Sequence, residues 1–296
     1  MKLGLQIPSF TWPEGPAQIG PTLARLARDA DQVGFGYVGV MDHFFQITAV
    51  GPPEDEMLEA YTTLGFLAAH TTNAKLLTIV TGVHYRKPGL LAKAVTTLDV
   101  LSEGRAILGI GAGWNEEESL GLGFDFPPLK ERFEILEETL QYVTQMWSGD
   151  ESSFNGKHIQ ADRLLNSPPA LSTPHPPILI GGMGEKKTLR MVAKYAQACN
   201  LFATPQIGHK LEVLKEHCET EGRDYADITK TAYVVLDVGP NGENTQQLID
   251  RLGSLSELGI DDVLGSIAGG ATSAAIERIG ADVIPAVAGL GRVSTL

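Results

Sequence analysis

His43 is the side chain in this sequence with the strongest case for proton chemistry. It follows Asp42 at the end of an apolar run, residues 37–41, that reads as a buried strand. An unperturbed imidazole titrates near neutral pH, so it can donate or accept a proton under physiological conditions. We therefore predict His43 as the catalytic residue and Asp42 as its neighbour in the same pocket. From these residues alone, a hydrogen-bonded histidine that caps a strand is an equally good interpretation.

Two glycine-rich stretches could hold a ring or an anion. The first is 108–114, which contains Gly111, Ala112 and Gly113, and the second begins at Gly181 and Gly182. Glycines let the main chain approach a ligand closely, and a following helix offers unpaired N–H groups to a phosphate. Neither stretch has the spacing and following helix of a dinucleotide fingerprint, so the sequence does not favour a Rossmann site. Tight turns would explain the same glycines.

Three aromatic side chains complete the candidate site, and other chemistries find little support. Phe10, Trp12 and Trp114 could line a pocket for a flat substrate or simply pack. The two cysteines, at 199 and 218, have no metal-ligand spacing, and we predict no metal site. No nucleophile elbow is present. The formal charge of −13 argues against a nucleic-acid or anionic-membrane surface, which would need clustered basic residues.

The elements that must position these residues alternate regularly between strand and helix. Apolar runs predict eight strands, each followed by helical periodicity, at residues 3–7, 37–41, 76–80, 106–110, 178–180, 201–203, 231–238 and 263–267. Eight repeats of this order predict an α/β fold, a (β/α)8 TIM barrel, with a doubly wound open sheet as the main alternative. In such a barrel the working residues lie at the C-terminal ends of the strands.

A long loop-like segment, residues 149–177, interrupts the alternation between strands 4 and 5. Insertions of this length in compact domains are usually functional, so we expect this segment to help shape the substrate pocket. The first residues form a short apolar run that soon meets prolines, which suits a first strand better than an export signal. No apolar run has the length of a bilayer span. We therefore expect a cytoplasmic protein.

Several stretches together resemble the bacterial luciferase-like superfamily of flavin and deazaflavin oxidoreductases. They are Met-Asp-His-Phe at 41–44, Tyr-Arg-Lys-Pro at 85–88, and the segments 97–105, 108–114 and 174–182. The resemblance runs from about residue 2 to residue 279. Within the superfamily it is nearest to the branch of coenzyme F420-dependent oxidoreductases.

The resemblance implies one luciferase-like TIM-barrel domain over residues 1–296, with an isoalloxazine or deazaflavin ring at the C-terminal mouth. It implies a non-proline cis peptide in the third strand at residues 78–79 and a cofactor phosphate at the glycine turn after strand five. The implied cofactor-binding residues are Asp42, Thr78, Ile79, Thr81, Gly111, Ala112, Gly113, Gly181 and Gly182. Sugar-phosphate-oxidising relatives have an acid where this chain has Trp114, so we do not assign glucose 6-phosphate as the substrate.

The leading hypothesis is an oxidoreductase that transfers hydride between coenzyme F420 and a small organic substrate. The first alternative is an FMN-dependent monooxygenase that uses reduced flavin and oxygen. The second is a non-catalytic barrel that only binds a ligand, which the polar residues at the strand ends disfavour. The resemblance further implies a homodimer.

Overall fold

The computed structural model describes residues 1–292 and residue 296, and its centre is a closed barrel of parallel strands. The barrel strands are β1 (Leu3–Ile7), β2 (Tyr37–Val40), β3 (Lys75–Thr78), β4 (Ala106–Gly111), β5 (Ile178–Gly181), β6 (Ala198–Phe202), β7 (Thr229–Tyr233) and β8 (Asp262–Gly265). The barrel closes because β1 pairs with both β2 and β8, and β3 pairs with β4. This closure confirms the predicted (β/α)8 fold and rules out an open sheet.

The barrel strands are buried because apolar side chains cover both of their faces. One layer fills the barrel interior and includes Tyr37, Leu77, Ile107 and Leu179, all with 2% exposure or less. Side chains of the opposite parity, such as Leu76, pack in the larger core beneath the helices. The continuous apolar runs that predicted the strands arise from this burial on both sides.

Helices follow the strands around the outside. They are α1 (Ile19–Val33), α2 (Ala60–Ala68), α3 (Pro88–Leu101), α4 (Glu116–Gly121), α5 (Leu129–Trp147), α6 (Thr188–Tyr195), α7 (Ile207–Glu221), α8 (Thr245–Glu257), α9 (Ser273–Arg278) and α10 (Ile284–Val287). Pro88 stands at the first helical position of α3, where its missing N–H has no intrahelical partner to lose. Among the described residues, no helix combines the length and apolarity needed to cross a membrane.

The cis peptide at the end of the third strand lies one bond later in the chain than predicted. Thr78 still pairs with Val40, and the Ile79 N–H donates to the Val40 carbonyl at 2.9 Å. The chain breaks away only after Ile79, so the cis peptide joins Ile79 to Val80 and the prediction of residues 78–79 was wrong by one bond. Thr81–Gly82 then rejoin the barrel alongside β4.

A second difference concerns the boundary between α6 and β6. The sequence predicted the sixth strand only from residue 201, whereas α6 ends at Tyr195 and β6 begins at Ala198. The buried run after Tyr195 fits a buried strand as well as a helix, and periodicity cannot separate the two. Pairing decides the boundary, because Ala198 lies opposite Leu179 of β5.

The insertion at residues 149–177 packs against α3 and α5. It begins and ends at the N-terminal end of the barrel strands, since it joins the end of α5 to the start of β5. Its hairpin, Phe154–Asn155 with Gln160–Ala161, is held by Glu138, which accepts hydrogen bonds from three hairpin N–H groups. Asp99 of α3 binds the following segment through Leu171 and Ser172. The expectation that this insertion shapes the substrate pocket is therefore not met by its main contacts.

Candidate active site

The C-terminal mouth of the barrel gathers the predicted site residues from five strands. Asp42 and His43 follow β2, and the broken segment at 79–80 follows β3. The glycine-rich segment at 111–114 follows β4, and the turn at 181–184 follows β5. Trp12 follows β1. The barrel topology thus brings together residues that are separated by up to 170 positions in the chain.

His43 is held by a carboxylate that is not among the predicted site residues. Its Nδ1 lies 2.5 Å from Oε1 of Glu118, which belongs to α4. The His43 side chain is 13% exposed, whereas that of Glu118 is fully buried. With Nδ1–H donating to the carboxylate, Nε2 carries the free lone pair, and Nε2 has no partner among the described residues. This arrangement leaves one ring nitrogen available to a ligand at the mouth.

Glu118 connects three segments of the site. Besides His43, it accepts hydrogen bonds from the Tyr85 hydroxyl and from the backbone N–H groups of Phe44 and Phe45, the latter two at 2.7 and 3.1 Å. Burial opposes its charge, but the hydrogen bonds from His43 and Tyr85 outweigh burial and lower the pKa of Glu118 below its ordinary value. The carboxylate is therefore a fixed negative charge directly behind the imidazole.

Asp42 does not touch His43 through a hydrogen bond but anchors the end of β2 to Arg86. The guanidinium donates to both oxygens of the Asp42 carboxylate, at 2.7 and 2.9 Å, and also binds Glu59 of the segment before α2. Burial raises the pKa of Asp42, while Arg86 acts in the opposite direction. Burial disfavours the charged guanidinium, but Asp42 and Glu59 outweigh burial and raise the pKa of Arg86. This paired arrangement positions the strand end that carries His43.

Two predicted cofactor-binding threonines have internal partners. Thr78 and Thr81 are buried, and their hydroxyls lie 2.8 Å apart. Thr81 also bonds Tyr61 of α2 at 2.8 Å, and Thr78 donates to the Gly109 carbonyl at 2.9 Å. These bonds tie the broken strand to α2 and β4. Ile79 and Val80, between them, are partly exposed at the mouth.

The predicted pocket glycines at 111 and 181 make room for Val80. A β-carbon at Gly181 would lie 2.9 Å from Val80 Cγ2, and one at Gly111 would lie 3.1 Å from the same atom. Gly109 faces the Thr78 carbonyl even more closely, at 2.0 Å. A side chain at any of these positions would displace the broken strand. These glycines therefore let Val80 sit in the top of the barrel, between β4 and β5.

His84, the second histidine of the mouth, is held as a neutral ring. Its Nε2 lies 2.9 Å from the Ser119 hydroxyl, which donates its own proton to the Asn115 carbonyl at 2.6 Å. Nε2 is therefore the protonated nitrogen, and Nδ1 is buried without a partner among the described residues. Burial, together with the nearby Arg132, lowers the pKa of His84 to about 4. His84 is thus unsuited to carrying a proton near neutral pH.

Gly113 is required by the position of His84. Its φ is +74°, and a β-carbon on it would lie 2.3 Å from Cε1 of the His84 ring. Glycine is needed here because the backbone is left-handed and because the His84 ring leaves no space for a β-carbon. Ala112, its neighbour, is partly buried and packs against the main core.

The three predicted aromatic residues occupy different environments. Trp114 is 61% exposed, and its ring meets the His43 ring edge-on with 5.3 Å between centroids. Trp12 is partly buried, and Phe10 contacts it edge-on at 6.3 Å. Phe10 itself is only 1% exposed. Phe10 therefore packs in the core and supports Trp12, while Trp114 presents a free aromatic surface beside the imidazole.

The turn after β5 exposes unpaired backbone donors. Gly182 has φ +127°, and its own N–H donates to the Asn200 carbonyl at 3.1 Å. The next two N–H groups, of Met183 and Gly184, have no acceptor among the described residues. The nearest atom to a β-carbon on Gly182 would be Cγ2 of Thr188, at 3.4 Å, in the first turn of α6. The turn can therefore offer amides to an anion, but Met183 and Gly184 supply them rather than Gly182.

In the described part of the chain, no three side chains of His, Cys, Asp or Glu come together in a way that could hold a metal ion. The two cysteines are buried, and burial raises the pKa of Cys199 to about 12.

A comparison with known families assigns the chain. The model of the family described as luciferase-like monooxygenase matches residues 1–262. The chain belongs to the luciferase-like monooxygenase family. Membership confirms the resemblance given above and supports an oxidoreductase.

Members and relatives of this luciferase-like family use more than one cofactor. The chain is 30% identical over 227 residues to an F420-dependent glucose-6-phosphate dehydrogenase of Kineococcus radiotolerans, covering 72% of this chain and 63% of that protein. Its fold matches the coenzyme F420 dependent tetrahydromethanopterin reductase of Methanopyrus kandleri with a TM-score of 0.77, 18% identity and coverage of 96% and 98%. It also matches a type II Baeyer–Villiger monooxygenase of Pseudomonas putida in complex with FMN, with a TM-score of 0.73, 17% identity and coverage of 96% and 98%.

Proposed function

We propose that this luciferase-like protein transfers hydride between coenzyme F420 and a small organic substrate. The observation that carries the proposal is the pairing of His43 with Glu118, which leaves the His43 Nε2 free at the mouth. Sequence similarity to an F420-dependent dehydrogenase supports the choice of cofactor. F420, when bound, supplies the two-electron hydride chemistry at its ring, so the protein has to bind, orient and move a proton.

The described residues fit a flat anionic cofactor in three respects. Val80 and the glycines around it form a small apolar surface on which a ring can rest. The free amides of Met183 and Gly184 suit a phosphate. Trp114 gives an exposed aromatic wall beside His43. Each feature lies at the end of a different strand, as expected for a ligand that spans a barrel mouth.

His43 supplies the proton transfer that accompanies hydride transfer. When a carbon that bears a hydroxyl loses a hydride, the hydroxyl oxygen loses a proton, and Nε2 of His43 can accept it. Glu118, as a buried negative charge on Nδ1, stabilises the imidazolium that results. In the reverse direction the same nitrogen returns the proton to a carbonyl oxygen. Asp42 and Arg86 act indirectly, by fixing the strand end that carries the ring.

An FMN-dependent monooxygenase is the second candidate, and the family description and the FMN-containing fold neighbour favour it. In that case reduced flavin would react with oxygen, and the same turn after β5 would hold the phosphate of FMN. The two candidates share the fold and differ in the cofactor. A barrel that binds a ligand without catalysis is the third outcome.

Titration of the purified protein with F420, FMN and FAD, followed by fluorescence, separates these candidates. Tight F420 binding with weak FMN binding supports the proposal, and the opposite order favours the monooxygenase. Binding without hydride transfer from any alcohol or to any carbonyl tested would favour the ligand-binding barrel.

His43→Gln tests the proton role. We expect turnover to fall by about 10²- to 10⁴-fold with little change in cofactor affinity, because the ring accepts a proton but does not carry the cofactor. His70→Gln is the matched control, since His70 follows the C-terminal end of α2, away from the mouth. Unchanged turnover in His43→Gln would make this histidine structural.

We also propose that the chain forms a homodimer through α1 and α2. An open groove with a volume of about 560 Å³ runs between them, and its apolar lining includes Ile19, Leu23, Leu58 and Phe66. Phe66 lines this groove and is 39% exposed, so part of the apolar lining is open to a partner. Light scattering of the wild type and of Phe66→Glu measures the assembly. A monomeric wild type would contradict the proposal.

A further inference from the structure

A second cavity lies between α5 and α6, beside the turn that follows β5. Its volume is about 210 Å³, and basic side chains of α6 and of the turn before it line one wall. These are Lys186, Lys187, Arg190 and Lys194, and they face Phe133, Glu134 and Glu137 of α5. Both helices begin at the mouth of the barrel, because each follows a barrel strand. The cavity, called here the α5–α6 groove, therefore opens near the proposed phosphate turn.

The two carboxylates of the groove are already neutralised. Glu137 binds Lys194 at 2.9 Å, and Glu134 binds Lys157 of the insertion hairpin at 2.7 Å. Glu134 also contacts Nε2 of His158 at 2.8 Å. Neither acid is left to oppose an incoming anion.

The four cations are not all neutralised in return. Arg190 is paired with Glu221 of α7 at 3.0 Å, and Lys194 with Glu137. Lys186 and Lys187 form no ion pair with any described residue, and the Lys187 ammonium lies 5.0 Å from the centroid of the Phe133 ring. Both lysines are exposed. In a chain with a formal charge of −13, this is a local excess of positive charge next to the cofactor site.

We propose that the α5–α6 groove binds the anionic tail of the cofactor, with Lys186 and Lys187 pairing with its carboxylates. This inference rests on the proposed function. F420 continues beyond its phosphate into a chain of glutamate residues, whereas FMN ends at its phosphate. Only Glu185, which is paired with Lys210 of α7, separates the turn at 182–184 from the two lysines, so a ligand whose phosphate lies at the turn can reach the lysines next. Carboxylates and ammonium groups form charge-assisted hydrogen bonds of the kind that such a tail requires.

The α5–α6 groove would in this way make the protein prefer F420 over FMN. A cofactor that ends at its phosphate gains nothing from Lys186 or Lys187. Two exposed ion pairs change a dissociation constant by about 2- to 30-fold, and the effect shrinks as added salt screens the charges.

The test compares the double variant Lys186→Ala/Lys187→Ala with wild type for two probes, F420 with its glutamate tail and the same deazaflavin phosphodiester without glutamates. We expect the double variant to bind tailed F420 about tenfold more weakly at low salt and the tail-less form equally well. Lys215→Ala/Arg251→Ala is the matched control, because it removes the same charge from exposed positions on α7 and α8. Melting curves check that each variant is folded.

Each outcome has one meaning. If the double variant loses affinity equally for both probes, or for neither, the groove does not bind the tail. Binding of the tail-less probe to wild type would in that case still support F420 as the cofactor. Weaker binding of tailed F420 alone supports the proposed role of the groove, provided that about 0.5 M salt abolishes the difference in affinity between the double variant and wild type. Binding of neither probe to wild type overturns the groove and the proposed cofactor together.

Discussion

Replacement of Glu118 by Gln tests the buried centre of the site. The carboxylate accepts hydrogen bonds from His43, Tyr85 and the N–H groups of Phe44 and Phe45. A glutamine carbonyl serves about two of these four donors, and its amide group faces the others as a second donor. Hydrogen bonds to a charged acceptor contribute about 1.5–3 kcal/mol each, and losing them is not additive. We expect the free energy of unfolding to fall by about 2–4 kcal/mol near pH 7.

The pH dependence of this difference has a definite sign. Because the pKa of Glu118 is lowered in the folded protein, its charge stabilises the fold fully above the ordinary glutamate value of 4.5. That contribution is lost as the pH falls through the lowered folded value. The gap between wild type and Glu118→Gln should therefore be constant from about pH 6 to pH 8 and shrink below about pH 4.5.

Urea unfolding, followed by circular dichroism at several pH values, measures both quantities. Glu117→Gln is the control, since Glu117 is the exposed neighbour on α4 and the chemical change is identical. A variant within about 0.5 kcal/mol of wild type, or a gap that widens in acid, would refute the reasoning. In the same variant we expect slower turnover, because the imidazolium of His43 loses its counter-charge.

Three further predictions concern backbone and ion-pair geometry. Gly182→Ala strains a residue with φ +127°. It should weaken the binding of FMN or F420 by roughly tenfold more than the binding of riboflavin, which has no phosphate. Calorimetric titration measures these affinities, and an equal loss of affinity for riboflavin and for the phosphate-bearing cofactors would contradict an anion-binding role of the turn. Gly113→Ala should cost about 2–4 kcal/mol of stability because its β-carbon would overlap the His84 ring, whereas Gly123→Ala, with φ +77° and open space, should cost about 1 kcal/mol. Arg86→Lys loses a two-pronged contact to a buried carboxylate and should lower the unfolding free energy by about 2–4 kcal/mol, and a melting point like that of wild type would contradict the pairing.

The barrel could be predicted because its signals are local. Each strand is a short apolar run, and a proline such as Pro88, where α3 begins, favours the first position of a helix. The rule that barrel sites lie at strand ends then placed His43 and Trp114 at the mouth, where the structure has them beside each other. Boundaries set by pairing, such as the start of β6 at Ala198, carry no comparable local signal.

Glu118 could not be found in the same way. It lies within an acidic run at 116–118 that is typical of a solvated helix start, and its two acidic neighbours are indeed exposed. Its burial depends on contact with the segment after β2, 73–75 residues away in the chain. The resemblance assigned the threonines at 78 and 81 to the cofactor, and their internal hydrogen-bond partners could not be predicted because they come from distant elements of the chain.

The Val80 side chain closes the C-terminal end of the barrel interior, and its position limits how deeply any ligand can lie. The side chain occupies the space that β-carbons at Gly111 and Gly181 would fill, so the route inward is blocked just below the mouth. A planar cofactor must then lie across the opening and cover Val80. A second ligand can reach the cofactor only from the solvent side. We therefore expect a compulsory order of binding in which the cofactor enters first and leaves last.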